Sequence, residues 1–489
     1  MAHTGKWRTI IENSFLVILL IPLLFTNIKS SHDWGDDFAQ YLHQAKNICE
    51  GISQNETGYI FNADAFLGPQ AYPVGFPLLL APVVKACGID YAAITIYLSV
   101  YLLLSCFIGF LLLRNYFSVA TAMIVTLIIA YNPVTLSFKT EILSDIPFFF
   151  FSLLILFLAL KKQTTFLSIM IGALLGFCFH IRSVTVTLLV SIVLHRFILL
   201  IQEKQFRFSA FKEILLILAS FALVYFSIRA AWPADSSYPE LFDSKAPFLK
   251  AMDHLSYHNE ELHRFFRNYD LKNFFFILCL SASALTCFTW LGFFHQLKHN
   301  RYSLLNLYTL LYVAALMLYM YGDTGIRFIF PVLFILFYYA VIGLKNALHA
   351  ITTNYFWLPY LIGFFVLFSY HESWQRISEH EAEVLDGPET KSSQEMFSYI
   401  VHNTATDAVM AFDKPRALSL YTQRSAVCFK NECSREEFVS SLNRFQVDYV
   451  IVYSGLTSET NKNLAADSTL HLKKVFDNGT GKIYRYSGH

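Results

Sequence analysis

Long unbroken apolar runs dominate the chain up to residue 370, with only short polar intervals between them. A helix needs about 20 apolar residues to cross a bilayer. Windows of that size predict spans near 10–28, 91–113, 118–132, 146–160, 165–180, 184–201, 213–229, 273–296, 303–321, 326–344 and 353–370. The first has basic residues ahead of its apolar core but no small-x-small cleavage site, so it reads as a retained signal-anchor helix. Beyond 370 the pattern changes to short alternating segments. "DAVMAFD" and "VDYVIVYSG" predict strands, "SREEFVSSLNRF" an amphipathic helix capped by Ser434, and "KKVFDNGTGKIYRYS" a hairpin around Asn478-Gly479.

The expected fold class is therefore an all-α polytopic membrane domain of about eleven transmembrane helices, residues 1–370, followed by a small α/β extracytoplasmic domain, 371–489. The longest polar interval in the membrane part is the first loop, 29–90. In it, a helix starting near Asp36 would carry Phe38, Tyr41, Leu42, Ala45 and Ile48 on one face and Asp36, Asp37, Gln40, Gln44 and Lys46 largely on the other, which predicts a helix lying in the membrane interface. The loop closes with "GPQAYPVGFPLLLAPVV" (68–84), whose prolines predict an extended turn and then a helix too short to span.

Composition fits this outline. Of 489 residues only 15% are charged and the mean hydropathy is +0.44, against about a quarter charged in soluble domains. The 37 basic and 36 acidic residues balance, which excludes nucleic acid as the expected partner. Lys6 and Arg8, Arg114, Lys161 and Lys162, Arg196 with Lys204, Arg207 and Lys212, Lys298 and Arg301, and Lys345 fall at alternate span ends. By the positive-inside rule those ends, and the N-terminus, are cytoplasmic, leaving the first loop and the C-terminal domain outside. The eight cysteines show no CxxC pair; Cys428 and Cys433 are the only close ones, readable as a disulfide or as two free thiols.

The candidate chemistry lies on the outer side. Asp36 and Asp37 adjoin where the chain leaves the first span, and Asp36 is the candidate general base toward a hydroxyl. The bland alternative is a capped surface helix with its acids at the positive helix end. In "LSFKTEILSDIPFFFF" (136–151), Lys139, Glu141 and Asp145 precede a Phe-rich helix; the i, i+4 spacing of the two acids would let them share a helical face. Arg182 follows an apolar run, and Arg327 opens a late span close to Asp323. A guanidinium is shaped to hold phosphate with two parallel hydrogen bonds. His254, His258 and His263 invite a metal reading, but no HExxH-like pattern accompanies them.

The acid pair after the first span, "YPVGFPLLLA", the acid-bearing loop before a Phe-rich span, "GALLGFCFHIRS" and "RFIFPVLF" follow one another in an order that resembles the GT-C glycosyltransferases, in particular the bacterial branch of protein O-mannosyltransferases and aminoarabinose transferases. The resemblance covers most of 1–370, and the tail "AFDKPRALSLYTQRSAV" is similar to the extracytoplasmic domains of such proteins. Two departures stand out: Asp37 where Glu is common, and a "YPVGFP" segment without the frequent second proline. The resemblance implies a multi-pass enzyme of the bacterial cell membrane that moves a sugar from a polyprenyl-phosphate donor to a hydroxyl of a protein, lipid or glycan on the periplasmic face, with inversion. Asp36 then matches the family's base, with Asp37 beside it. Arg182, Arg327 and Lys139 are candidate ligands of the donor phosphate. Glu141 and Asp145 would orient the acceptor or position a divalent cation, no other cofactor being implied.

Two alternatives follow from the same segments. A transporter or flippase of lipid-linked sugars would show mid-span charges or an internal repeat, and the sequence shows neither. A glycan polymerase or ligase would concentrate its chemistry in a late loop such as 230–272.

Overall fold

The computed structural model describes residues 2–65, 67–203, 208–233, 247–266, 275–319, 325–351, 357–381 and 383–488. Asp323 and much of the 230–272 loop lie outside them. Helices occupy all eleven expected windows. Among the described residues, five stretches are long and apolar enough to cross a membrane: Trp7–Leu24, Tyr91–Leu113, Thr185–Gln202, Phe211–Ala231 and Phe330–His349. Shorter apolar helices include Val119–Ala130, Asp145–Ala159, Thr165–Ile181 and Leu304–Leu318. The protein is thus a multi-pass membrane protein; the described residues do not confirm the full set of eleven spans.

The residues after 370 supply five strands of a six-stranded sheet flanked by helices. Its strands are β1 (Tyr59–Ile60), β2 (Val409–Ala411), β3 (Ser425–Val427), β4 (Tyr449–Tyr453), β5 (Leu472–Asp477) and β6 (Gly481–Tyr486), in the order β1-β3-β2-β4-β6-β5. The pairs among β1, β3, β2 and β4 are parallel; β4-β6 and β5-β6 are antiparallel, the latter closed by the turn at Asn478-Gly479. Ser434 caps the helix Arg435–Arg444 in a reciprocal capping box with Glu437. Cys428 and Cys433 are buried as free thiols.

One strand of the sheet comes from elsewhere. Strand β1 belongs to the first loop and pairs Tyr59 with Ala426 and Ile60 with Val427, so the loop and the C-terminal segment form one unit. The seam continues along the chain. Ile28 donates its N–H to Glu381, the Lys29 ammonium donates to the His380 carbonyl, and Leu385 donates to the Ser31 hydroxyl. Trp34 plugs the C-terminal core, its ring 5.0 Å from Tyr453 and 5.7 Å from Phe412.

The helix after the acid pair, Asp37–Glu50, departs from the expected interfacial helix. Both of its faces are covered. Gln40 and Gln44 are fully buried and hold the rest of the first loop, Gln40 donating to the Gln70 carbonyl and Gln44 to the Tyr72 carbonyl. A polar face need not be wet when the loop it anchors supplies backbone carbonyls in place of water. The following Gly75–Cys87 helix is the short one expected. Gly75 starts it because a Cβ there would lie 2.5 Å from the His180 main chain; this contact seats the first loop beside Arg182.

Candidate active site

The acid pair divides its work between two directions. Asp36 precedes the first turn of its helix but does not cap it. Its Oδ1 accepts instead from the main-chain N–H of Ala417, at 3.3 Å, in the first turn of the helix Pro415–Thr422. The positive end of that helix favours a carboxylate. Its Oδ2 lies 3.8 Å from Nε of Arg416, and the side chain is only 8% exposed. Burial pushes the Asp36 carboxyl up to about 6, opposed by Arg416, Lys414 and the Ala417 N–H. The expected base is therefore closed in beneath the C-terminal domain.

Asp37 turns the other way and is 28% exposed. Its Oδ1 accepts from the Tyr72 hydroxyl at 2.5 Å and from Nη1 of Arg416 at 3.4 Å; its Oδ2 accepts from Nη1 of Arg327 at 3.2 Å. Burial would raise its pKa, but Arg327, Arg416 and the Tyr72 hydrogen bond outweigh it and hold the carboxyl below the usual range.

Arg327 also reaches Asp145, its Nη2 lying 3.4 Å from Oδ2. Asp145 is fully buried at the start of the helix Asp145–Ala159 and takes a second guanidinium, that of Arg182. Arg182 in turn lies over the Phe328 ring, 4.8 Å from its centre. Three aspartates (36, 37, 145) thus face three arginines (182, 327, 416). Arg182 uses one Nη on Asp145, and the Nε of Arg327 has no hydrogen-bond partner among the described residues. Each guanidinium carries five N–H donors, so both keep donors for an anion.

The remaining expected residues lie differently. Lys139 is fully buried, and its ammonium donates to the Leu23 carbonyl and the Ser99 hydroxyl, both at 2.8 Å, rather than to any of the acids. Glu141 does not share a helical face with Asp145, because the helix begins only at Asp145. It pairs with His32, Oε2 to Nε2, at 3.7 Å. His254 and His258 are buried neighbours on the helix Pro247–Phe266. Among the described residues the only group of three potential metal ligands with close ligand atoms is His32, Asp33 and Glu141. Asp37 and Asp145 are bridged by Arg327.

Two of the best-connected site residues escape the sequence reading. Tyr72 joins Asp37 to Arg416, which donates to its hydroxyl at 3.0 Å. Arg416 is completely buried, donates to the Pro69 carbonyl at 2.8 Å, and lies between the Tyr59 and Tyr72 rings at 4.7 and 4.9 Å. Both sit in quoted segments, "YPVGFP" and "DKPRAL", but nothing in either marks the residue as facing the acids.

The fold is that of the GT-C glycosyltransferases. Structures of ArnT, the aminoarabinose transferase of Cupriavidus metallidurans, carry the comparison: the form bound to undecaprenyl phosphate has a TM-score of 0.57 at 10% identity, and the apo form 0.58 at 11%. They cover 97% and 99% of this chain and 98% of each ArnT chain. AglB, the Archaeoglobus fulgidus oligosaccharyltransferase, is similar with TM-scores of 0.56 at 12% identity, in a complex with zinc and sulfate and in one with an inhibitory peptide and a dolichol-phosphate. These cover 97% and 99% of this chain and 73% and 75% of AglB. No protein-family model matches the sequence, and no curated protein matches it.

Proposed function

We propose that this protein is a membrane glycosyltransferase that takes a sugar from a polyprenyl-phosphate carrier and passes it to a hydroxyl on the periplasmic face of a bacterial inner membrane. The observation that carries the reading is Arg327, held between an accessible carboxylate on Asp37 and a buried one on Asp145. The fold supports it, because ArnT and AglB have been captured with undecaprenyl phosphate and dolichol-phosphate.

The chemistry needs a base on one face of the anomeric carbon and cations beside the departing phosphate. Asp37 is intrinsically the weaker base of the two but the better placed one. It is ionised, partly exposed and held in place by Tyr72, whereas Asp36 is sealed against Arg416 and the Ala417 N–H. The acceptor oxygen attacks the anomeric carbon and gives its proton to the Asp37 carboxylate. The bond from that carbon to the phosphate oxygen breaks, and its electron pair leaves on the phosphate. Attack opposite the leaving group inverts the centre. Negative charge grows on the phosphate during the step, and donors aimed at growing charge lower the barrier. Arg327 and Arg182 are those donors. Asp145 aims them, and Lys139 takes no part. Glu141 stands close enough to Asp37 and Arg327 to feel their charge, which suits a group that contacts the acceptor.

Turnover by the full chain in nanodiscs, offered a panel of polyprenyl-phosphate sugars with hydroxyl acceptors, tests the reading. Release of free polyprenyl phosphate that depends on Asp37 and Arg327 is the expected result; none with any donor overturns it.

A further inference from the structure

We propose that the cavity among the helices Val119–Ala130, Phe275–Asn300, Leu333–Ile351 and Leu358–Ser369 binds one anionic phospholipid, its phosphate at Lys345 and one acyl chain lying along the helices. None of its lining residues belongs to the arginine–aspartate cluster, so the site does not rest on the transfer reading. Its walls are apolar stripes. Ile124 and Ile128 stand four apart on the first helix, with Ala340, Val341 and Leu344 opposite at helical spacing. The last span turns Gly363 and Val366 to the cavity and Phe364, Phe365 and Phe368 outward, 58–67% exposed. An apolar cavity stays dry, and one partly open to a bilayer takes hydrocarbon. From Tyr360 to Tyr370, both in its lining, a helix rises about 15 Å. That is half of a hydrocarbon core about 30 Å thick, the reach of one acyl chain in one leaflet.

Lys345 is the only charged residue in the lining, and it stands at one end. Its ammonium has no carboxylate partner among the described residues and lies over the Phe117 ring, 4.8 Å from the centre. The Tyr360 hydroxyl is 3.3 Å from that of Ser118 and close enough to Lys345 to feel its charge. Tyr116 and Trp357 are exposed at the same end, as aromatic side chains are at headgroup level. The positive-inside reading puts this end on the cytoplasmic side, where basic pockets between spans take anionic headgroups. A phosphodiester brings one negative charge to the ammonium and acceptor oxygens to the two hydroxyls. A choline or ethanolamine headgroup would set a second cation beside Lys345, which like charges disfavour. At the far end the Tyr370 hydroxyl is already engaged by the Asn132 amide at 3.0 Å. A Cβ on Gly363 would collide with Ile124, so the last span sits hard against the first wall. That span leads directly into the helix His371–Glu379, and the lipid would brace the support of the C-terminal unit. The competing arrangement is a lysine snorkelling into an ordinary, freely exchanging lipid shell.

Lipid binding by the full chain separates the two. The protein is delipidated in detergent, titrated with dioleoyl phosphatidylglycerol or dioleoyl phosphatidylcholine, and read by native mass spectrometry. The expected result is one phosphatidylglycerol per chain, bound roughly tenfold or more tightly than phosphatidylcholine. Lys345→Gln should erase that preference, and Val341→Trp, which fills the cavity, should weaken both lipids. Lys298→Gln, a lysine outside the cavity lining, should change nothing. Equal affinity for the two lipids in the wild type, an undiminished preference in Lys345→Gln, an equal loss in Lys298→Gln or unchanged binding in Val341→Trp overturns the proposal. So does tighter binding of a polyprenyl monophosphate, which would make the cavity a carrier site instead. Thermal midpoints without added lipid check folding; should Val341→Trp melt below the wild type there, the two lysine variants decide.

Discussion

Arg416 donates through Nη1 to Oδ1 of Asp37 at 3.4 Å, although 379 positions separate the two residues. The C-terminal unit therefore completes the candidate site. Removing one partner of a buried ion pair costs about 3–5 kcal/mol, because the other charge stays behind without compensation. Arg416→Met should lower the thermal midpoint by that order and abolish transfer. Adding Asp36→Asn, which removes one of the stranded charges, should restore part of the stability and none of the turnover. A single variant as stable as the wild type would show that Arg416 is dispensable to the site.

The two adjacent acids should separate in kinetics. A positioned base contributes about 10²–10⁴ in rate, so Asp37→Asn should lower turnover by that factor. Asp36→Asn keeps an acceptor for the Ala417 N–H and should lower turnover less than about tenfold. Steady-state rates with a single polyprenyl-phosphate donor make the comparison. The reverse ranking would return the base to Asp36.

The two arginines should act on donor affinity. Arg327→Lys keeps the charge but loses the fork that reaches both Asp37 and Asp145, and a point charge cannot replace a planar double donor. Donor KM should rise roughly tenfold or more, a charge-assisted hydrogen bond being worth about 1.5–3 kcal/mol. Arg182→Ala should do the same and also destabilise the fold, since Asp145 is fully buried. Unchanged donor KM in both would remove them from the phosphate site.

Much of this architecture is legible in the sequence because a bilayer forces apolar helices to be long and continuous. The C-terminal strands other than β3, the Ser434 cap and the Asn478-Gly479 turn are local patterns and are equally plain. The long-range seam is not. Strand β1 is two residues long and has no periodicity to detect. Arg416 stands in an ordinary helix start, and only folding reveals that its neighbours are Tyr59, Tyr72 and two aspartates. The direction of each acid was hidden for a related reason. Adjacent residues at a helix start point apart by about 100°, so which one meets the arginines depends on what packs against the other.

Lys139 illustrates the opposite case, a charge conspicuous in sequence and structural in place. Its ammonium satisfies the Leu23 carbonyl and the Ser99 hydroxyl inside the bundle. Lys139→Met should cost about 1–3 kcal/mol of stability for the buried acceptors left unpaired, seen as a lower thermal midpoint, and leave donor KM unchanged. A raised KM at normal stability would restore Lys139 to the phosphate site.

Asp36 supplies a pH signature. Burial, opposed by Arg416, Lys414 and the Ala417 N–H, raises its carboxyl to about 6 in the folded protein, against about 3.9 unfolded. The folded state therefore binds this proton more tightly than the unfolded chain. Protonation adds stability that is fully present below about pH 3.9 and lost as pH rises through about 6. Above that the buried charge costs about 3 kcal/mol. Asp36→Asn removes the titration, so the variant should gain on the wild type as pH rises from 4.5 to 7.5, most steeply near pH 5. Other acids titrate in both proteins and largely cancel in the difference. Thermal midpoints of the pair at four pH values across this range make the measurement. A difference that stays flat would mean that Asp36 is solvated, and that the C-terminal unit does not close over it.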